Sequence, residues 1–86
     1  MLKIVIYTTI PCGYCVRAKR LLKEKQVPFE EVDVSYDSEK RHAMMEKAGG
    51  RMTVPQIFVG DRYIGGCDEL YDLERSGRLD PLLSAA

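Results

Sequence analysis

Residues 2–25 read LKIVIYTTIPCGYCVRAKRLLKEK, and the passage from one half of this stretch to the other decides the fold. Leu2-Lys3-Ile4-Val5-Ile6-Tyr7 is β-branched and mostly apolar, the composition of a strand covered on both faces. Pro11 breaks the chain, and from Cys15 to Lys25 the residues Val16, Ala18, Leu21 and Leu22 mark one apolar helical face. Arg17, Lys19, Arg20, Lys23 and Glu24 fall elsewhere on that helix, which is basic towards its C-terminus as the macrodipole favours. At the junction stand Cys12 and Cys15, separated only by Gly13 and Tyr14. A CxxC placed there can present one sulfur to the free N–H groups of the helix N-terminus, where an anion is stabilised. Cys12 precedes the helix and is the nucleophile expected of this arrangement. Cys15, one turn in, is expected to be more buried and to resolve a mixed disulfide.

Working outward, Phe29-Glu30-Glu31-Val32-Asp33-Val34 alternates apolar with acidic after Pro28, the pattern of a strand near a sheet edge. Ser38 stands ahead of a helix over Glu39 to Lys47, with Ala43, Met44 and Ala48 inward and Gly49-Gly50 as its stop. Gln56-Ile57-Phe58-Val59 and Tyr63-Ile64 flank Gly60-Asp61-Arg62, a hairpin signal. Beyond Gly65-Gly66, Asp68 is placed to cap a helix that turns Leu70, Tyr71 and Leu73 inward and ends at Gly77. Leu79, Leu82 and Leu83 form a last apolar patch. The order β-α-β-α-β-β-α predicts an α/β domain over residues 1–86: one right-handed parallel crossover and a hairpin in a four-stranded mixed sheet, helices on both faces.

Composition narrows the functions open to such a chain. Its 86 residues carry 13 basic and 13 acidic side chains, so there is no electrostatic footprint for nucleic acid and no basic run for a membrane surface. No segment is long enough to span a bilayer, and the N-terminal apolar stretch lacks the length and cleavage site of a signal peptide. Three cysteines are an odd number, and the closest two lie too near in sequence to staple distant parts of a fold, which points to a reducing, cytoplasmic setting. A CxxC is also half of a zinc site, but a tetrahedral centre needs four ligands and only His42 and Cys67 remain as candidates.

Three separated signatures resemble the glutaredoxins of the thioredoxin superfamily over essentially the whole chain: CGYC at Cys12 to Cys15, Thr53-Val54-Pro55 before the hairpin, and Gly65-Gly66-Cys67-Asp68 before the third helix. The resemblance implies a thioredoxin-like fold and a glutathione-dependent thiol-disulfide oxidoreductase, a monomer, with glutathione as reductant and Cys12 and Cys15 as its redox-active pair. It implies a cis Val54-Pro55 bond that leaves the Val54 backbone open to a peptide-like ligand, where X-Pro base rates alone favour trans. Gly65-Gly66 permits close approach of a ligand, and the N–H groups at Cys67-Asp68 with the Asp68 carboxylate suit the carboxylate and ammonium of a γ-glutamyl group. Taken without the resemblance, the same residues make a plain turn and N-cap. Tyr14 carries over as a glutathione contact, Arg51 as a partner of the glycyl carboxylate, and Thr53, Val54, Pro55, Gly66, Cys67 and Asp68 as the remaining glutathione-binding set, Cys67 through its backbone.

Two departures from the family pattern stand out. Thr9 replaces a lysine common three residues before the nucleophile, which predicts a weaker hold on glutathione or a less stabilised Cys12 thiolate. Gly13 replaces a common proline and leaves the loop freer. Relatives without that proline include some that hold a [2Fe-2S] cluster between two subunits through the nucleophilic cysteine and glutathione, so a cluster-binding dimer is the alternative function. A redoxin fed by a flavoprotein reductase is a third class, less favoured by Gly65-Gly66-Cys67-Asp68 and Tyr14. Glutathionylated and disulfide-bearing proteins are the expected clients, with ribonucleotide reductase a family-level example.

Overall fold

The β-branched run becomes the central strand of the sheet. The computed structural model describes residues 3–84; Leu2, assigned above to the first strand, lies outside them, as do the last two residues of the span 1–86. Strand β1 (Ile4–Thr8) runs parallel to β2 (Glu30–Asp33) and antiparallel to β3 (Gln56–Val59), and β4 (Arg62–Gly65) completes the order β2-β1-β3-β4. The helices are α1 (Gly13–Glu24), α2 (Ser38–Lys47), α3 (Cys67–Arg75) and α4 (Leu79–Ser84). The sheet is mixed and four-stranded, as the order of elements predicts.

Because successive strand residues point to opposite faces, β1 feeds two separate cores. Ile4 and Ile6 join Ile57 and Val59 against Ala18, Leu21 and Leu22 of α1, Cys67 and Leu70 of α3, and Leu79 and Leu83 of α4. On the other face Tyr7 packs with Phe58, Val34, Met44 and Ala48, with Val5 and Tyr63 at its margin. Tyr7 and Phe58 meet edge to face, ring centroids 5.7 Å apart, an arrangement the ring quadrupoles favour. Helices α1, α3 and α4 thus cover one face and α2 the other. Thr8 and Gln56 are the polar residues buried with the sheet, and each is hydrogen-bonded.

Several local expectations are corrected. Val16 and Ala43 are exposed. In α1 the buried stripe is Cys15, Ala18, Leu21 and Leu22, and Val16, one residue on from Cys15, is rotated about 100° away from it. In α2 Met44 alone is deeply buried, since a mostly polar ten-residue helix offers a narrow contact line. The last apolar patch is itself a short helix, α4, so the chain ends with two consecutive helices after the hairpin. The hairpin loop is the two residues Gly60-Asp61, with Gly60 at φ +59° and Arg62 already in β4. Asp37 caps α2 by accepting the Lys40 N–H at 3.0 Å, one residue earlier than the Ser38 expected there.

Candidate active site

The end of β1 delivers the chain to Cys12, which is the N-cap of α1 in extended conformation. Its Sγ accepts the Cys15 backbone N–H at 3.1 Å, and its carbonyl accepts the Val16 N–H at 3.2 Å. A cysteine here does what serine or aspartate does at an ordinary N-cap, receiving an N–H that has no partner inside the helix. The first turn of α1 contains no acidic residue, so nothing of like charge opposes an anionic sulfur there. A Cβ at Gly13 would meet no atom within 4 Å, so the residue between cap and helix faces open space.

The three cysteines are free thiols in very different surroundings. Cys12 is half-buried, whereas Cys15 is 1 % exposed. Burial pushes the Cys15 thiol up to about 12, and its hydrogen bond to Cys12 and the charge of Cys12 add to this; a backbone hydrogen bond at Thr9 and the charge of Lys19 act in the opposite sense. Cys67, at the start of α3, is also buried and its thiol is raised chiefly by that burial. At neutral pH Cys15 and Cys67 are therefore held as thiols.

Beside α1 lies a groove of about 280 Å³. Tyr14 lines it from α1; Arg51, Thr53, Val54 and Pro55 line it from the loop before β3; Gly66, Cys67, Asp68 and Glu69 line it from the start of α3. The structure thus brings together the eight residues other than the cysteine pair that the sequence picks out, from three segments distant along the chain. Cys12 is not itself a wall of the groove; Tyr14, two residues on, is. The Val54-Pro55 bond is cis, as the resemblance implies, and so is Ile10-Pro11, which the sequence did not indicate.

One reading is corrected here, and one residue has partners that the sequence does not show. The N-cap of α3 is Gly66, and Asp68 is an exposed residue of the first turn. Arg51 is already partnered: its Nη1 donates to Tyr63 Oη at 3.0 Å and to Glu69 Oε1 at 3.2 Å, and the Glu69 carboxylate raises the guanidinium above its ordinary value. Tyr63 Oη donates to Gln56 Oε1 at 2.5 Å, and Gln56 Nε2 donates to the Thr53 carbonyl at 2.8 Å and to its hydroxyl at 3.1 Å. A hydrogen-bonded chain therefore runs from the mouth of α3 to the backbone beside Val54.

Glu69 is the wall that sequence reasoning missed. Its Oε1 accepts the Gly66 N–H at 2.6 Å. The signal was present: glutamate at N3, three residues after the N-cap, is the reciprocal half of a capping box. Gly65 is required by this fold-back, because at φ +117° a Cβ there would lie 2.6 Å from Glu69 Oε1 and 2.7 Å from its Cγ. The space read above as room for a ligand at Gly65 is filled by the protein's own glutamate.

Comparison with known proteins agrees across sequence and structure. A family model described as Glutaredoxin matches residues 4–64. A glutaredoxin of Pseudomonas aeruginosa is 52% identical over 82 residues, covering 95% of this chain and 96% of its own. The solution structure of a glutaredoxin from Brucella melitensis superposes with a TM-score of 0.84 at 51% identity, covering 96% of this chain and 89% of that one. The crystal structure of a buckwheat glutaredoxin-glutathione complex gives 0.87 at 30% identity, covering 98% of this chain and 78% of that one.

Proposed function

As this chain belongs to the glutaredoxin family, whose members are thiol-disulfide oxidoreductases, we propose that it removes glutathione from mixed disulfides and reduces protein disulfides, with Cys12 as nucleophile and Cys15 as resolver. The observation that carries the reading is the sulfur of Cys12 seated as the N-cap of α1, the same helix whose Tyr14, two residues on, lines the groove. The Cys12 thiolate attacks the glutathionyl sulfur of a mixed disulfide; the S–S bond breaks and the client leaves as a thiolate that takes up a proton. The thiolate of a second glutathione attacks the glutathionyl sulfur now on Cys12, releasing glutathione disulfide and restoring the Cys12 thiolate.

For a protein disulfide, Cys12 attacks first and Cys15 then displaces the client from Cys12, leaving a Cys12–Cys15 disulfide that two glutathione molecules reduce. The causes that hold Cys15 as a thiol support this division of labour. Burial, the largest of them, persists in the mixed disulfide, but the charge of a Cys12 thiolate is gone once its sulfur is bonded. Cys15 becomes easier to ionise at the step that needs its thiolate.

Glutathione fits the groove by chemistry: the α3 amides and Arg51 offer donors to its carboxylates, and exposed Asp68 offers an acceptor to its ammonium. The buckwheat relative in complex with glutathione supports the same choice of ligand. Tyr14, Thr53, Val54, Pro55, Gly66 and Cys67 complete the proposed contacts, and the reaction calls for a reducing compartment such as the cytoplasm. Turnover of a small glutathione mixed disulfide, coupled through glutathione and glutathione reductase, is the expected result. Turnover supported only by a flavoprotein thioredoxin reductase would transfer the chain to the third class of redoxin.

A second reading, a [2Fe-2S] dimer bridged through Cys12 and glutathione, is favoured by one feature, the open space around Gly13 that leaves the Cys12 loop unhindered. Anaerobic reconstitution giving neither cluster absorbance nor a dimer would dispose of it.

A further inference from the structure

Glu69 is the wall of the groove for which glutathione binding supplies no task. Its Oε1 takes the Gly66 N–H at 2.6 Å and Arg51 Nη1 at 3.2 Å. A backbone N–H at a helix N-terminus and a guanidinium are the two kinds of donor that an incoming carboxylate seeks. Capping α3 requires only the first; the second contact reaches a residue 18 positions away, across the groove. Resting on the reading that this groove takes glutathione, the geometry points to Glu69 as a specificity-determining latch, an internal carboxylate that competes with the ligand's carboxylate for Arg51 and so sets a limit on affinity.

The sign of the effect follows from what else holds Arg51. Tyr63 Oη accepts from the same Nη1 at 3.0 Å and is itself tied through Gln56 to Thr53. The guanidinium therefore stays at the groove when the Glu69 charge is removed, and it is then unneutralised. Both side chains are nearly half exposed, 46% for Arg51 and 42% for Glu69, so a ligand can reach the pair and exchange with it.

Calorimetry with S-methylglutathione, which binds without reacting, tests this. In Glu69→Gln the amide oxygen still receives the Gly66 N–H while the charge is gone, and binding is expected to tighten by about three- to tenfold, the difference between a neutralised and a free guanidinium partner. The gain is expected to vanish in an Arg51→Ala background, a coupling that a merely structural role for Glu69 would not produce. A wild type that binds, with Glu69→Gln equal or weaker, overturns the latch and leaves the glutathione reading standing. A wild type that does not bind S-methylglutathione overturns that reading, and the latch with it. Should Glu69→Gln fail to fold, Glu69→Asp keeps the charge but is one methylene too short to bring an oxygen to the point where both donors converge; a smaller tightening supports the latch, and unchanged or weaker binding overturns it.

Discussion

Two helix N-termini meet the groove region, and they are built in opposite ways. At α1 the cap is the Cys12 side chain, a sulfur that receives the Cys15 N–H at 3.1 Å, and the first turn is free of acidic residues. At α3 the cap is Gly66, which has no side chain, and the first turn carries Asp68 and Glu69, one of which folds back onto the cap. The backbone physics is the same at both: unpaired N–H groups and the positive end of a helix, each favouring an anion by about 0.3–1 kcal/mol and up to ~2 when partly buried. The difference lies in who supplies the anion. The α1 mouth is capped by a sulfur, which under the proposed function is the group that carries the charge, and the α3 mouth already has a carboxylate in residence.

The strongest way to break this contrast is to remove the sulfur that caps α1. Cys12→Ser is expected to reduce turnover of glutathione mixed disulfides and of protein disulfides by about a thousandfold or more, to background, in a glutathione-coupled assay. Cys15→Ser, one turn in, is expected to retain mixed-disulfide turnover within about a few-fold and to lose protein-disulfide reduction by tenfold or more, as roughly expected where only the second sulfur's displacement step is lost. Equal losses in both assays for the two variants would erase the distinction between cap and resolver.

At the α3 side the expected effects are smaller and fall on binding. Arg51→Ala removes one charge-assisted donor, and the KM for a glutathione mixed disulfide is expected to rise about three- to tenfold with little change in kcat. A KM that stays put would mean that Tyr63 and Glu69 already consume what Arg51 has to give.

The smallest effect is on stability, beneath α1. Glu31 Oε2 accepts the Thr8 hydroxyl at 2.7 Å and Lys19 Nζ at 2.9 Å. Burial alone would raise its carboxyl, but these two partners together hold it below its ordinary 4.5. A carboxylate held low in the fold adds stability that is fully present above its unfolded value and is lost as pH falls through the folded one. Glu31→Gln is therefore expected to cost a few tenths of a kcal/mol, about 0.5, at neutral pH, a figure kept small by partial exposure of the pair. The gap in thermal midpoint from wild type should narrow as pH drops below about 4.5, and a gap that widens in acid would show that Glu31 stabilises as its protonated form.

The comparison also shows what was legible in the residues. The β-branched run, the CxxC behind it and the hairpin around Gly60-Asp61 are local patterns, governed by side-chain period and turn chemistry within a few positions, and they are readable as strand, helix entry and reversal. The resemblance added the segments that line the groove. Val16 and Ala43 were placed inward by hydrophobicity alone, and the structure turns them out because the stripes of α1 and α2 are set by what they pack against. Arg51 carries over from the resemblance as a partner for a ligand carboxylate, and its partner inside the protein, Glu69, stands 18 residues on, beyond the reach of any local pattern.

By itself the sequence determined the order of elements from β1 through α3 and the place of Cys12 ahead of a helix, since both rest on spacing along the chain, while three quoted motifs carried the resemblance to the family. Only the tertiary structure decided that Arg51 is paired with Glu69, that Tyr63, Gln56 and Thr53 are linked in one hydrogen-bonded run, and that Glu69 lies across Gly65 on the donors of the groove. Burial and pairing are properties of segments brought together by folding, and a side chain's charge state and free partners follow from those neighbours.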